Sequence, residues 1–239
     1  MFCQSCGRSL ADTLRFCDAC GTDLTLPPRG ATTTAAITQQ LKAEMQARSR
    51  DAWKAIKLLA RSPVGGLAES FAMLNDQRAI SVGIFFAIFY ELALLLGVYI
   101  VGSKAAGLFG VGLRVAEISA SLLFKILIIG IVPFASLIGA CALARAVFRG
   151  DGRFAGDVYT AGAVLLPLGF LALATGILGL ANVEVIAVVS LVAITYLILM
   201  LYAGCSRIGN ISEAGAAPAV PIILLVSAWL TKIIVTALL

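Results

Sequence analysis

Long apolar runs separated by short polar turns occupy the chain from about residue 79 to its end. A helix needs about 20 predominantly apolar residues to cross the hydrocarbon core of a bilayer. Five runs of that kind follow one another, at residues 79–102, 119–146, 159–181, 184–206 and 217–239. The pattern predicts an all-α polytopic membrane protein with about five transmembrane helices.

A basic amphipathic segment precedes the first apolar run. Apolar residues recur at helical spacing between residues 37 and 61, and the opposite face is basic, with Lys42, Arg48, Arg50, Lys54, Lys57 and Arg61. Pro63 is expected to end this helix. Trp53 near its membrane-proximal end fits a helix lying on anionic headgroups. Packing of the same apolar stripe on the protein's own spans, or on a second copy, stays open.

These patterns divide the chain into four parts. Residues 1–24 form a cysteine-containing head, which we predict to be a small zinc ribbon. Residues 25–36, rich in Pro, Gly and Thr, have the composition of a flexible linker. Residues 37–77 are predicted as amphipathic helices in the cytosol or at the membrane interface. Residues 78–239 are predicted as the five-helix transmembrane domain.

The head contains two C-x-x-C pairs, each followed by glycine, and the four cysteines are Cys3, Cys6, Cys17 and Cys20. Two thiolates at this spacing on a tight turn can reach one Zn²⁺, and two such pairs complete a tetrahedron. Four protein ligands leave no open position for water, which indicates a structural Zn²⁺ rather than a catalytic one. So short a segment buries little core, so that metal binding and folding should coincide.

Other interpretations of the cysteines remain open at this point. Iron could replace zinc in an all-thiolate site. Disulfides would require an oxidising compartment, and a signal sequence is not indicated. A thioredoxin-type redox motif would need one C-x-x-C at the start of a helix in a βαβ unit, which does not fit this segment. The last alternative is a disordered tail with incidental cysteines.

Composition supports a membrane protein and narrows the chemistry. The chain of 239 residues is 60% hydrophobic and 13% charged, whereas soluble domains are about 25% charged. Histidine is absent, which excludes the Ser-His-Asp triad and the His-based zinc hydrolase motifs. The formal net charge is +5, but most cations flank apolar runs, where they are typical of membrane topology rather than of nucleic-acid binding.

The distribution of cations predicts the orientation. With the N-terminus inside, the cytosolic segments contain Lys54, Lys57, Arg61, Arg78, Arg145, Arg149, Arg153 and Arg207. The outer side then contains Lys104 and Arg114, with Lys125 just inside the second span. This asymmetry follows the positive-inside rule. This orientation places the ribbon in the reducing cytosol and the C-terminal Leu239 outside. We therefore predict a multi-pass protein of the cell (inner or plasma) membrane.

Ionisable residues within the apolar runs are candidates for function. Glu91 lies midway along the first span, and Lys232 lies at a matching depth in the last. We predict a buried Glu91–Lys232 ion pair, with Lys125 as the other candidate partner. Alternatives are a neutral, protonated Glu91 and a lysine that extends to the interface.

Two resemblances accompany these patterns. The form F-C-x-x-C-G-x-x-L, at Phe2 to Leu10 and again at Phe16 to Leu24, resembles the zinc-ribbon heads of many bacterial membrane proteins. Residues 50–239 resemble the Yip family of five-span membrane proteins, through a Trp-containing basic helix that runs into Ser62-Pro63-Val64-Gly65-Gly66-Leu67. Eukaryotic Yip proteins are adaptors in vesicle traffic that bind prenylated small GTPases. A bacterial relative with a ribbon would lack that partner, so the resemblance implies the architecture alone.

The sequence therefore favours a non-enzymatic membrane adaptor or organiser. The ribbon would dock a protein partner, and the five-helix domain would anchor it in the lipid bilayer and could associate with further copies of itself. The alternative is a small transporter or lipid-handling protein that uses intramembrane Glu91 and Lys232. We do not expect an enzyme, and nucleic acid is not an expected partner.

Overall fold

The computed structural model describes residues 34–109, 120–179 and 182–238, and the chain divides into two compact units, Met1–Ala47 and Arg48–Leu239. The described residues are helical and contain no strand, as predicted. The elements are α1 (Thr34–Arg61), α2 (Pro63–Ala72), α3 (Asp76–Phe109), α4 (Ala120–Val147), α5 (Phe154–Leu178), α6 (Val183–Ala203), a π-helical segment (Gly204–Ile208) and α7 (Glu213–Leu238).

Among the described residues, five helices are long and apolar enough to cross a membrane, which agrees with the predicted number. Their spans are Asp76–Ser103, Leu127–Val147, Phe154–Leu178, Val183–Ile208 and Glu213–Ala237. The third begins before the predicted residue 159 because Asp157, in its first turn, is buried and paired with Arg145 and therefore does not end the helix.

Pro63 separates the first two helices, as predicted, but it also begins the second. α1 ends at Arg61, and Pro63 lies in the first turn of α2. Proline is accepted there because a backbone N–H at that position would have no partner within the helix. The Ser62 hydroxyl caps α2 by accepting a hydrogen bond from the Gly65 backbone N–H, at 3.2 Å. α1 begins at Thr34, inside the range predicted as linker.

α5 is the central helix of the second unit. Each of its residues from 155 to 166 is buried, and it contacts α2, α3, α4, α6 and the π-helical segment. Its partner α3 runs parallel to it, and glycines on both helices bring the two backbones together. A Cβ on Gly83 would stand 2.6 Å from the Val158 carbonyl oxygen, and one on Gly176 would stand 3.1 Å from the Gly97 Cα. Small residues thus allow the close helix contact on which this pair depends.

One end of the bundle bears several arginines, and we refer to it as the arginine end (Arg145, Arg149, Arg153 and Arg207). α3 and α5 begin there, since Asp76 and Arg153 form an ion pair of 3.1 Å. α4 and the π-helical segment end there, and the Gly152 backbone N–H donates a hydrogen bond of 3.1 Å to the Gly209 carbonyl. The turn between α4 and α5 therefore contacts the turn that precedes α7.

Candidate functional site

The four predicted zinc ligands, Cys3, Cys6, Cys17 and Cys20, lie outside the described residues. The remaining two cysteines, Cys141 and Cys205, are free and buried. Within the described ranges, no group of three or more His, Cys, Asp or Glu side chains could hold a metal ion. The zinc site therefore stays a prediction, and the sites described below belong to the membrane domain.

Glu91 lies in the interior of the bundle, on the face of α3 that contacts α4. Its side chain is 7% exposed, and no described residue forms a hydrogen bond with either carboxylate oxygen. The carboxylate lies against the backbone of Gly130, whose missing side chain provides the space for it. A buried, unpaired charge is costly in a protein interior, and the neutral acid is the form that this environment tolerates at lower cost.

The predicted ion pair between Glu91 and Lys232 is not formed. Lys232 lies on α7 with an exposed side chain, and no described residue forms an ion pair with it. The other predicted partner, Lys125, is partly exposed on α4 and does not bind the Glu91 carboxylate either. Both predictions relied only on the depth of the residues along the spans. The rotation of each helix about its axis also decides which side chains meet, and it directs the lysines to faces away from Glu91.

Lys232 instead borders an apolar cavity of about 440 Å³ between α4, α5, α6 and α7. Among its other lining residues are Pro133, Leu165, Leu197, Ser227 and Thr231. Ser227 hydrogen-bonds Ser136 on α4 at 2.7 Å, and Ser136 approaches Thr231 at 3.4 Å. The cavity therefore combines an apolar wall with a cation and a few hydroxyl groups.

A buried ion pair joins α4 to α5 at the arginine end. The Arg145 guanidinium donates to both oxygens of the Asp157 carboxylate, through Nη2 at 2.8 Å and through Nε at 3.2 and 3.3 Å. The Asp157 side chain is 5% exposed and that of Arg145 is 24% exposed. This bidentate geometry is the favourable one for a pair that is largely shielded from water.

The surroundings of this pair are tightly packed. Cys141, Thr160, Cys205 and Gly209 lie around Arg145 and Asp157, and the cavity that they enclose has a volume of only about 10 Å³. That is about the space for one water molecule. A Cβ on Gly204, the first residue of the π-helical segment, would overlap the Thr160 side chain. The arginine end is thus closed by side chains around the ion pair.

Sequence reasoning did not find this ion pair. Arg145 was placed only among the predicted cytosolic cations, and Asp157 precedes the predicted third span, which starts at residue 159. The available signal was an arginine in the last turn of one span and an aspartate in the first turn of the next. Because consecutive antiparallel helices place these turns side by side, opposite charges there can meet.

Tyr159, next along α5, is completely buried between α2 and α3. Its hydroxyl forms a hydrogen bond of 2.6 Å with the Ser70 hydroxyl on α2, and its ring packs against Phe71 and Phe86. These contacts hold the short helix α2 against α5 close to the arginine end.

Comparison with known proteins does not assign the chain to a family. No protein-family model matches the chain, and no curated protein or solved structure is significantly similar to it.

Proposed function

We propose that the protein is a non-enzymatic integral membrane adaptor or organiser. In this proposal the zinc ribbon of residues 1–24 lies in the cytosol and docks a protein partner. The five spans hold the ribbon at the membrane, with the arginine end facing the cytosol in accordance with the positive-inside rule.

The observation that best supports an anchor is the closed packing at the arginine end. The backbones of α3 and α5 are in contact at their glycines, and Arg145 and Asp157 are surrounded by side chains that leave room for about one water molecule. A transporter would need space for its solute along its path. Two cavities elsewhere in the bundle, of about 440 and 550 Å³, are lined mostly by apolar side chains, which supports a structural role over passage of a polar solute.

The test uses the full-length protein with Cys6→Ser, and Cys205→Ala as the matched control. Each protein is cross-linked in its native membrane and purified, its zinc content is measured, and its cross-linked proteins are identified. We expect about one Zn²⁺ per chain in the wild type and the control, loss of zinc in Cys6→Ser, and loss of the same partners with it. Partners that persist after zinc is lost would contradict a docking role for the ribbon.

A second candidate function, lipid handling, is favoured by the cavity that Lys232 borders. An apolar cavity of about 440 Å³ with one amine at its edge suits an amphiphile with an anionic headgroup. Glu91 does not line this cavity, so this candidate function involves Lys232 without Glu91. Movement of labelled phosphatidylglycerol between leaflets of proteoliposomes would test it. We expect slower movement with Lys232→Met, and movement no faster than in protein-free liposomes would exclude this function.

A further inference from the structure

Glu91 lies near the middle of its span. Along Asp76–Ser103 it is 15 residues from the first residue and 12 residues from the last. At a rise of about 1.5 Å per residue, these separations are about 22 and 18 Å, whereas half of a hydrocarbon core is about 15 Å. The carboxyl group is therefore at the depth of the hydrocarbon core and remote from both ends of the span.

The neighbourhood of this carboxyl group is apolar. It fills the space that Gly130 leaves on α4, and both of its oxygens are buried without a hydrogen-bond partner among the described residues. Residues three and four positions away share the same helical face. At that spacing stand Ala87, Ile88, Leu94 and Leu95 around Glu91, and Pro133 and Phe134 after Gly130. Nothing at these positions offsets the cost of burying an ionised carboxylate.

Titratable groups on the neighbouring helices do not supply a counter-charge. α3 packs on α4 and α5, and α5 has no titratable residue after Tyr159. On α4, the nearest to Gly130 along the chain is Lys125, which lies about 8 Å away along the helix axis and is partly exposed. On α3, Tyr90 precedes Glu91, and a phenol carries no charge at neutral pH. Within the described part of the chain, the carboxyl group therefore has no cationic partner.

A proline in α4 leaves a hydrogen-bond acceptor free next to Gly130. Pro133 lies inside α4 and has no backbone N–H, so it cannot donate the helical hydrogen bond to the carbonyl of Ile129, four residues earlier. A protonated carboxyl group has one O–H donor, whereas an ionised carboxylate has none. The freed carbonyl therefore suits the neutral acid and opposes the carboxylate.

We propose that the contact between α3 and α4 is a proton-binding site within the membrane. Its ligand is a single proton, which is held on the Glu91 carboxyl group and hydrogen-bonded to the Ile129 carbonyl. A metal cation fits less well because it needs several oxygen ligands, and the described ranges contain no group of three or more His, Cys, Asp or Glu side chains that could hold one.

The site also has a condition for release of its proton. Because the contact admits the neutral acid alone, the proton leaves only when α3 and α4 separate enough to admit water. The site belongs to the membrane domain, and it does not depend on the adaptor function proposed for the ribbon.

The protonation state is measured by infrared spectroscopy of the full-length protein in lipid nanodiscs at neutral pH. A carboxylic acid has a C=O stretching band that a carboxylate lacks, and Glu91→Gln should remove that band. Glu184→Gln, at an exposed position in the first turn of α6, is the matched control and should leave the band unchanged. If Glu91→Gln removes no such band, Glu91 is ionised and the proposal is overturned.

The same band distinguishes a proton from a metal cation. Addition of Na⁺ at constant pH should leave the band of the wild type unchanged. Loss of the band in Na⁺ would show that the cation displaces the proton, and the site would then be a cation site rather than the one proposed.

The hydrogen bond is tested with Pro133→Ala, which restores a backbone N–H that can bind the Ile129 carbonyl. With its acceptor taken, the Glu91 acid should show its C=O band at a higher wavenumber, because loss of a hydrogen bond strengthens the C=O bond. Pro167→Ala, which replaces the proline inside α5, is the matched control and should not move the band. An unmoved band in Pro133→Ala would overturn the assignment of Ile129 as the acceptor.

Opening of the contact is followed by transfer into D₂O, since exchange of the acid proton for deuterium lowers the wavenumber of the band. We expect faster exchange in Gly130→Ala than in the wild type, because the new methyl group overlaps the Glu91 carboxyl group and separates the two helices. Gly139→Ala, where a Cβ meets nothing within 4 Å, should exchange as slowly as the wild type. Equal rates in the two variants would contradict release of the proton through this contact.

Discussion

The Glu91 carboxylate of α3 lies over Gly130 of α4 and occupies the space that a Cβ would need there. Neither carboxylate oxygen has a hydrogen-bond partner among the described residues, although the side chain is almost completely buried. The close approach of α3 and α4 at this point therefore depends on Gly130, the smallest residue, lying opposite the Glu91 side chain.

Gly130→Ala should destabilise the bundle because the new methyl group overlaps the Glu91 carboxylate. Overpacking of this kind costs about 1–3 kcal/mol, which outweighs the gain of about 1 kcal/mol in helix propensity. The free energy of unfolding in mixed micelles would measure the change. Gly139→Ala on the same helix is the control, since a Cβ there meets nothing within 4 Å. It should be neutral or stabilising, and equal effects of both variants would contradict this interpretation of Gly130.

Glu91→Gln and Lys232→Met should not behave as the two halves of an ion pair. Neither substitution should lower the free energy of unfolding by more than about 1 kcal/mol, because no described residue is a charged partner of either side chain. The double variant tests the point directly, since separate sites have additive effects. A coupling of more than about 1 kcal/mol between the two positions would restore the pair and contradict the arrangement described above.

Arg145→Met should be strongly destabilising because it leaves the buried Asp157 carboxylate without its cation. Removal of one partner of a buried pair costs about 3–5 kcal/mol. Arg153→Met is the matched control, since Arg153 pairs with Asp76 at the surface, where both side chains are more than half exposed. Its cost should be about 1 kcal/mol or less.

Both arginine variants can be compared by thermal unfolding in detergent, together with the double variant Arg145→Met/Asp157→Leu. We expect the double variant to recover much of the stability that Arg145→Met loses, because apolar replacements remove the unpaired charge. Equal losses in the two single arginine variants would show that burial does not strengthen the Arg145–Asp157 pair.

The orientation can be tested with single cysteines on opposite ends of the bundle. In a chain whose six native cysteines are replaced by alanine, Asp151→Cys should be protected from a membrane-impermeant thiol reagent in intact cells. Asn182→Cys, at the start of α6, should be labelled. Labelling of Asp151→Cys in intact cells would place the arginine end outside and would contradict a cytosolic ribbon.

The sequence determined the number of spans and the helix boundary at Pro63. Runs of about 20 apolar residues are long enough to cross the hydrocarbon core, and each predicted run contains most of one helix in the structure. Pro63 marked the boundary between α1 and α2 because proline cannot continue a hydrogen-bonded helix. These are properties of chain segments, so they can be read without knowledge of the contacts between segments.

The tertiary structure alone decided which side chains meet. A span that is apolar on all sides gives no periodic signal for the face that it turns to its neighbours, so depth placed Glu91 beside Lys232 although their helices direct them apart. The Arg145–Asp157 pair was not predicted for the same reason, since it forms only when α4 and α5 pack in a particular rotation. Segment hydrophobicity thus specified the helices, and side-chain packing between them specified the sites.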